Sequence, residues 1–424
     1  MRRFFLAVLV ALTLLLPAQP VLARTRLDAR IDMLPATTLL SRDASSLVDP
    51  ARQRRARAIA DYQHLASVGW GLSQILAFWW LWRSGGAAQI RDAMRRRTRK
   101  RTLHRLVFGA VVGALGPVVS FPFALTSYRI AYSAGLFDAT FGQWFFGYVI
   151  RIGLDALLGA VIVTVVLALV ERTRVWYLFV AGLLYVCAIG AVMVQPLLPL
   201  GPAHKTTPRV VAALESEVAQ MVGVPATPVV VLATSHRSNA MTASHPGIGP
   251  TARVAVGDVA LVHLTPPELR VVLTRNTVHV RYEDRLRQTL MAVTLLVLSA
   301  AIAVLLTDRV GFRRDDDALT RLALVATFLG LVMIVVYPIY NAYARNLETR
   351  ADKATLAALG DPAAIVRAYV RYADLDMIPL CDRRSVRWYF ADRPTLGGRI
   401  AAAAGTADPC PGGEPARTSI LSLP

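Results

Sequence analysis

Apolar residues in this chain fall into long blocks, not at the spacing of soluble cores. After the basic start Met1–Arg3, Phe4–Leu16 is an apolar run of signal-peptide length. Val21-Leu22-Ala23 then places small residues where a signal peptidase reads. The segment reads first as a cleaved signal and second as an uncleaved anchor. Six more apolar blocks follow: Leu65–Trp82, Leu106–Leu125, Ile150–Val170, Val175–Leu198, Leu290–Leu306 and Leu319–Tyr340. Each approaches the roughly 20 residues that cross the hydrocarbon. The pattern predicts a mainly α polytopic protein with six to seven transmembrane helices.

Between the fourth and fifth of these blocks the periodicity changes. Thr207–Val222 has helical spacing, with Val210, Val211, Leu214, Val218 and Met221 on one side. Pro225 and Pro228 end it. Val229–Leu232 and Ala252–Val256 are β-branched runs that predict strands, and Ser235–Pro250 between them predicts a loop. Thr265-Pro266-Pro267-Glu268 then starts a helix, with Thr265 as cap and Glu268 at the third position. The pattern carries this helix through about Arg287 toward the next span. The order predicts a small α+β unit set between membrane helices.

Composition agrees. Only 18% of the 424 residues are charged and 55% are hydrophobic, against about 25% charged in soluble proteins. The net charge of +19 falls largely in clusters beside apolar blocks. That favours topology and lipid headgroups over nucleic acid, which is not expected as a partner. Arg95-Arg96-Arg97 and Arg99-Lys100-Arg101 place the loop 83–105 in the cytoplasm. Counting forward puts residues 200–286 and the C-terminal part outside. Arg52–Arg57 then lies outside as well, against the rule. Cys381 and Cys410 can pair only in an oxidising compartment, and Cys187 lies in an apolar block. With no CxxC, a zinc ribbon or thioredoxin-like site is excluded. His236, His245 and His263 read as solvated loop residues, and Asp315-Asp316-Asp317 as a solvated turn.

From about Leu106 to Ile400 the chain resembles the integral-membrane zinc metallopeptidases that include the type I CAAX prenyl endopeptidases and the bacterial heat-shock membrane protease. Phe121-Pro122-Phe123, Tyr128 and Thr140-Phe141-Gly142-Gln143-Trp144 are similar to the prenyl-protease branch. Ser238-Asn239-Ala240 resembles the family's Asn-Ala segment on the substrate-side edge strand, Leu269–His279 its zinc helix, and Glu348–Asp352 its Glu-x-x-Ala-Asp motif. The resemblance implies a zincin-like α+β domain, a chamber between the spans, and zinc. It divides the chain into a signal or anchor at 1–23, a polar linker at 24–64, four transmembrane helices in 65–200, a peptidase-like domain at 201–286, two transmembrane helices in 287–340, a C-terminal helical part at 341–403 and a disordered tail at 404–424.

The family's chemistry needs His-Glu-x-x-His on one helix face, a Glu that takes a proton from metal-bound water, and a distant third ligand. Here the five residues read Arg275-Asn276-Thr277-Val278-His279. By resemblance His279 and Glu348 are relic ligands, and Arg275 stands at the lost first ligand. Asn276 stands at the general base, and Asp352 at the residue that orients the first ligand. Asp392-Arg393-Pro394 puts Arg393 where the family keeps a His for the oxyanion. Arginine stays protonated and cannot ligate, and Asn is no general base near neutral pH. Zinc is expected to be lost, with Arg275 and Arg393 supplying two positive charges and Arg275 pairing with Glu348 or Asp352 by its guanidinium fork.

The leading expectation is a pseudopeptidase in a bacterial plasma membrane. It binds a peptide or membrane-protein segment along an edge strand near Asn239 and Ala240. The alternative is an active metalloendopeptidase with an atypical or rebuilt site, for which His279, Glu283 and Glu348 are one ligand set. A purely structural assembly protein is the third.

Overall fold

The computed structural model describes residues 31–97, 99–197, 208–310 and 318–412. The signal or anchor, Thr207, Arg313, Arg314, the Asp315–Asp317 turn and residues 413–424 lie outside them. Two helices open the described chain, α1 (Ala36–Ser41) and the long α2 (Pro50–Arg83), whose first turn is capped by the Asp49 carboxylate. Then come α3 (Gly86–Arg97), α4 (Arg101–Ser133), α5 (Phe141–Arg172) and α6 (Trp176–Val194). A polar cap follows, with α7 (Arg209–Val222), β1 (Val229–Leu232), β2 (Ala243–Ser244), β3 (Val254–Gly257), α8 (Asp258–His263) and α9 (Pro266–Arg281). The chain returns through α10 (Asp284–Arg309) and α11 (Ala318–Leu359). It ends in α12 (Pro362–Leu375), α13 (Arg384–Tyr389) and α14 (Leu396–Ala404).

Among the described residues, five helices are long and apolar enough to cross a membrane: α4, α5, α6, α10 and α11. The block Leu65–Trp82 is not one of the five. It forms the second half of α2, where Ser67, Ser73, Gln74 and four tryptophans lower the mean hydropathy of the run, and it packs beside α4 and α11. α4 and α5 approach until a Cβ on Gly113 would lie 2.2 Å from the Asp155 carbonyl oxygen, and one on Gly109 would lie 2.5 Å from that of Gly159. Small residues four apart are what allow two backbones to touch within lipid.

One end of the bundle carries the cap. Asp138 and Asn239 join the α4–α5 connection to the cap through backbone bonds, and Arg285 at the start of α10 reaches Gln195 beyond α6. At the other end lie α3 with its arginines, the Arg105–Glu171 pair and the Asp308–Arg321 pair. The predicted alternation of sides is therefore kept.

Residues 31–64 are not a linker. Ile31, Leu39, Ala44, Leu47 and Val48 are buried in one core with α12 and α14. Arg52 binds the Asp374 carbonyl oxygen at 2.7 Å and its carboxylate, Arg55 the Ser133 carbonyl at 3.2 Å, and Arg57 that of Cys381 at 3.4 Å. These arginines are spent on internal contacts, which removes them from the topology count. Within 404–411, expected to begin a disordered tail, the chain is tied down at Cys410. Cys410 is buried and disulfide-bonded to Cys381.

The cap has a second core, from α7, the sheet and α9. Its sheet runs β1-β3-β2, with β1 parallel and β2 antiparallel to β3. The predicted strands are present; β2, inside the stretch expected to be loop, was not expected. α9 also ends earlier than its pattern implies. Glu283 takes a left-handed φ of 52°, and α10 starts anew at Asp284.

Candidate functional site

α9 is buried along most of its length because it lies between the two cores, with Val271 in one and Leu269, Val272, Leu273 and Val278 in the other. Its start is fixed by Glu268, which accepts the Thr265 N–H at 2.8 Å and the Arg371 Nε at 2.9 Å. Arg371 also pairs with Asp32. These contacts set the rotation of α9, so that Arg275 and His279 face α11 and Asn276 faces His245.

Arg275 meets both carboxylates of α11. Its Nη2 donates to Glu348, and its Nε donates to Asp352 Oδ1 at 2.9 Å. The expected pairing is present, and to both acids. Burial, with nearby Arg399, presses the pKa of Arg275 down. An arginine starts so high that it stays a cation. The second cation is not Arg393. Arg399 of α14 holds Asp352 at 2.7 Å and the Tyr369 hydroxyl at 2.6 Å, and that hydroxyl donates to Asp352 at 3.1 Å. Arg393 is exposed, lines the adjacent cavity and makes no ion pair among the described residues.

His279 has no exposed surface. Its Nδ1 lies 2.8 Å from Asp284 Oδ2, and Arg350 holds the other Asp284 oxygen. Burial lowers the His279 pKa, and the Asp284 bond opposes that shift. A neutral ring with its proton on Nδ1 satisfies Asp284 and leaves a lone pair on Nε2. Nε2 has no hydrogen-bond partner among the described residues and faces Glu348 Oε1 at 3.8 Å. This is how a metal-ligating His is held, by a carboxylate on its other nitrogen. The left-handed turn at Glu283 makes it possible, since it brings Asp284 back over the helix end. Sequence reasoning missed Asp284 because nothing in the local pattern marks the break.

Asn276 donates to the Val272 carbonyl at 2.8 Å, and its Oδ1 lies 3.3 Å from His245 Nδ1. His245, expected in solvent, stacks on His279 with ring centroids 4.4 Å apart. Burial and the His279 ring push its pKa down to about 3. His236 is exposed as expected, and His263 ends α8. Glu283 is exposed at the turn after α9, where it lines a small cavity with His245 and His279 but makes no ion pair among the described residues.

Arg275, Asn276, His245 and Glu348 line a polar cavity of about 330 Å³, together with Arg285, Gln288 and Arg393. β2, at the sheet edge, forms one wall. Asn239 and Ala240 do not offer an edge. Asn239 Nδ2 donates to Gly135 O at 3.1 Å and to Asp138 at 2.7 Å, and its N–H donates to Leu136 O. Next to it, the Ala240 N–H is held by the Ser238 hydroxyl at 3.2 Å. The segment is occupied by the chain's own α4–α5 connection, and the strand facing the cavity is β2. Beside that connection Tyr128 of α4 stacks on Trp144 of α5 at 4.7 Å, and Thr140 and Gln143 form the capping box of α5.

A zinc site of the zincin kind needs three protein donors and an open position for water. His279 Nε2 and Glu348 retain two donors, but the third place holds a guanidinium already bonded to Glu348. Among the described residues no three His, Cys, Asp or Glu side chains gather as a metal would require, and the set His279, Glu283 and Glu348 is not assembled. The residues present do not fit the metal.

Comparison with known proteins places this architecture. The profile of peptidase family M48 matches residues 205–407. That of the CAAX prenyl protease N-terminal region, with five membrane helices, matches residues 50–200. The chain is an integral-membrane protein of peptidase family M48, of the CAAX prenyl protease type. Among solved structures it is similar to Ste24p of S. mikatae, with a TM-score of 0.71 and 17% identity over 90% of this chain and 99% of that one. No curated protein matches the sequence.

Proposed function

We propose that this chain is a non-catalytic member of its family that holds a peptide, or a segment of a membrane protein, in the chamber beside α9 without cutting it. The observation that carries the reading is the Arg275 guanidinium bonded to Glu348 and Asp352. A cation occupies the place of a cation, and two carboxylates that would be costly to bury unpaired are neutralised. Asn276 has no basic atom for a water proton, and Arg393 replaces a neutral hydrogen-bond donor with a fixed charge. The free edge of β2 along the cavity suits backbone pairing with an extended client.

The cap and the C-terminal part lie outside the cytoplasm of a bacterial cell in this reading. The Cys381–Cys410 bond favours an oxidising compartment, and the arginines of α3 lie at the opposite end of the bundle. A metalloendopeptidase with a rebuilt site is the second reading, favoured by the unpartnered His279 Nε2. Casein and prenylated-peptide cleavage assays on the detergent-purified protein separate the two. No cleavage is expected from the unmodified chain. Zinc binding is expected only after Arg275→His with Asn276→Glu. Chelator-sensitive cleavage by the unmodified chain contradicts the proposal.

A further inference from the structure

The cavity beside α9 carries more positive charge than its own carboxylates answer. Three guanidiniums line it, Arg275, Arg285 and Arg393, against two carboxylates, Glu348 and Asp392. Arg275 and Glu348 neutralise one another. Arg285 reaches only a neutral acceptor, Gln195 Oε1 at 3.2 Å, and its shielded Nε has no partner among the described residues. Arg393 makes no hydrogen bond or ion pair there either. Gln288 and Tyr340 add further donors to the same wall. Guanidinium forks lining one partly closed space match the planar oxygens of a carboxylate or the oxygens of a phosphate.

We infer that this cavity is an oxyanion-binding site, in which Arg285 and Arg393 hold a carboxylate or phosphate group presented by the ligand. The inference rests on the metal-free part of the proposed function, since a zinc-bound water in the same space would change the charge that the arginines meet. The site lies where α10 leaves the cap and α11 enters it, so its oxyanion has two sources. One is the C-terminal carboxylate of a peptide lying along β2. The other is a phosphate at headgroup level.

The test uses the full chain in detergent and three probes: an apolar heptapeptide with a free C-terminal carboxylate, the same peptide amidated, and glycerol phosphate. Calorimetric titration of the unmodified protein is expected to show binding of the acid peptide or of glycerol phosphate. Arg285→Gln and Arg393→Gln should each weaken it about tenfold, with Arg285→Lys recovering part of the loss. The unfolding midpoint of each variant shows that it is folded. Tight binding of the acid peptide with weak binding of its amide identifies a peptide terminus; binding of glycerol phosphate alone identifies a phosphate. Amide and acid binding equally would overturn the inference and leave the client reading standing. Phosphate binding without peptide binding supports the inference and contradicts the client reading. No binding of any probe to the folded protein, or unchanged binding in the doubly substituted chain, overturns it.

Discussion

Arg275 is the residue on which the account turns, and its spacing before His279 made it visible as a replacement in the sequence. What the spacing did not show is the company it keeps. Arg399 lies 124 positions further along the chain yet supplies, through its bond to Asp352, the second positive charge that sequence reasoning had given to Arg393. Removing one partner of a buried charge group costs about 3–5 kcal/mol. Arg275→Ala should therefore lower stability by about 3 kcal/mol, read by thermal unfolding in detergent, and an unchanged midpoint would contradict the pairing. Asp376 tests burial instead. Its carboxyl is raised to about 7 by burial, while the Met241 N–H at 2.8 Å holds it from rising further. Between roughly pH 4 and 7 the folded chain keeps a proton that the unfolded chain has lost. Its contribution is thus present in full below that window and is lost as pH rises through it. The unmodified protein should lose stability relative to Asp376→Asn over this range, and parallel pH profiles would show the carboxyl is not so raised.

Elements were legible where a period or cap carried them. The apolar blocks, β1, and the Thr265–Glu268 start of α9 follow from spacing, because burial on one face or within lipid leaves a repeated trace. β2 has two residues, too few for any alternation, and exists because β3 offers it an edge. The break at Glu283 has no Gly or Pro to announce it, and the left-handed turn is held by what it gains, the Asp284 bonds to His279 and Arg350. Asp284→Ala should then release the His279 ring and lower stability by about 2 kcal/mol or more, with unfolding midpoints as the readout. The α4–α5 contact is another long-range requirement. Gly113→Leu sets a side chain against the Asp155 carbonyl and should destabilise the bundle by more than 2 kcal/mol, whereas Gly142→Leu, with open space around it, should not.

For the whole molecule, the sequence carried the membrane class and the family, since both rest on extended patterns. It left the sides of the membrane in conflict, because Arg52, Arg55 and Arg57 looked like topology signals and are in fact ties to the C-terminal part. With those ties discounted, the arginines of α3 favour the orientation proposed above, in which a C-terminal alkaline phosphatase fusion should be active and a fluorescent-protein fusion dark. The reverse pattern would place the Cys381–Cys410 bond in a reducing compartment and overturn the orientation. The central claim is that a guanidinium has replaced the family's metal. Elemental analysis of the purified, detergent-solubilised protein, with no metal added, tests it most directly. Zinc well below one ion per chain, rising toward one only when Arg275→His and Asn276→Glu are introduced together, is the predicted result. Near-stoichiometric zinc in the unmodified chain, lost on His279→Ala, would contradict it.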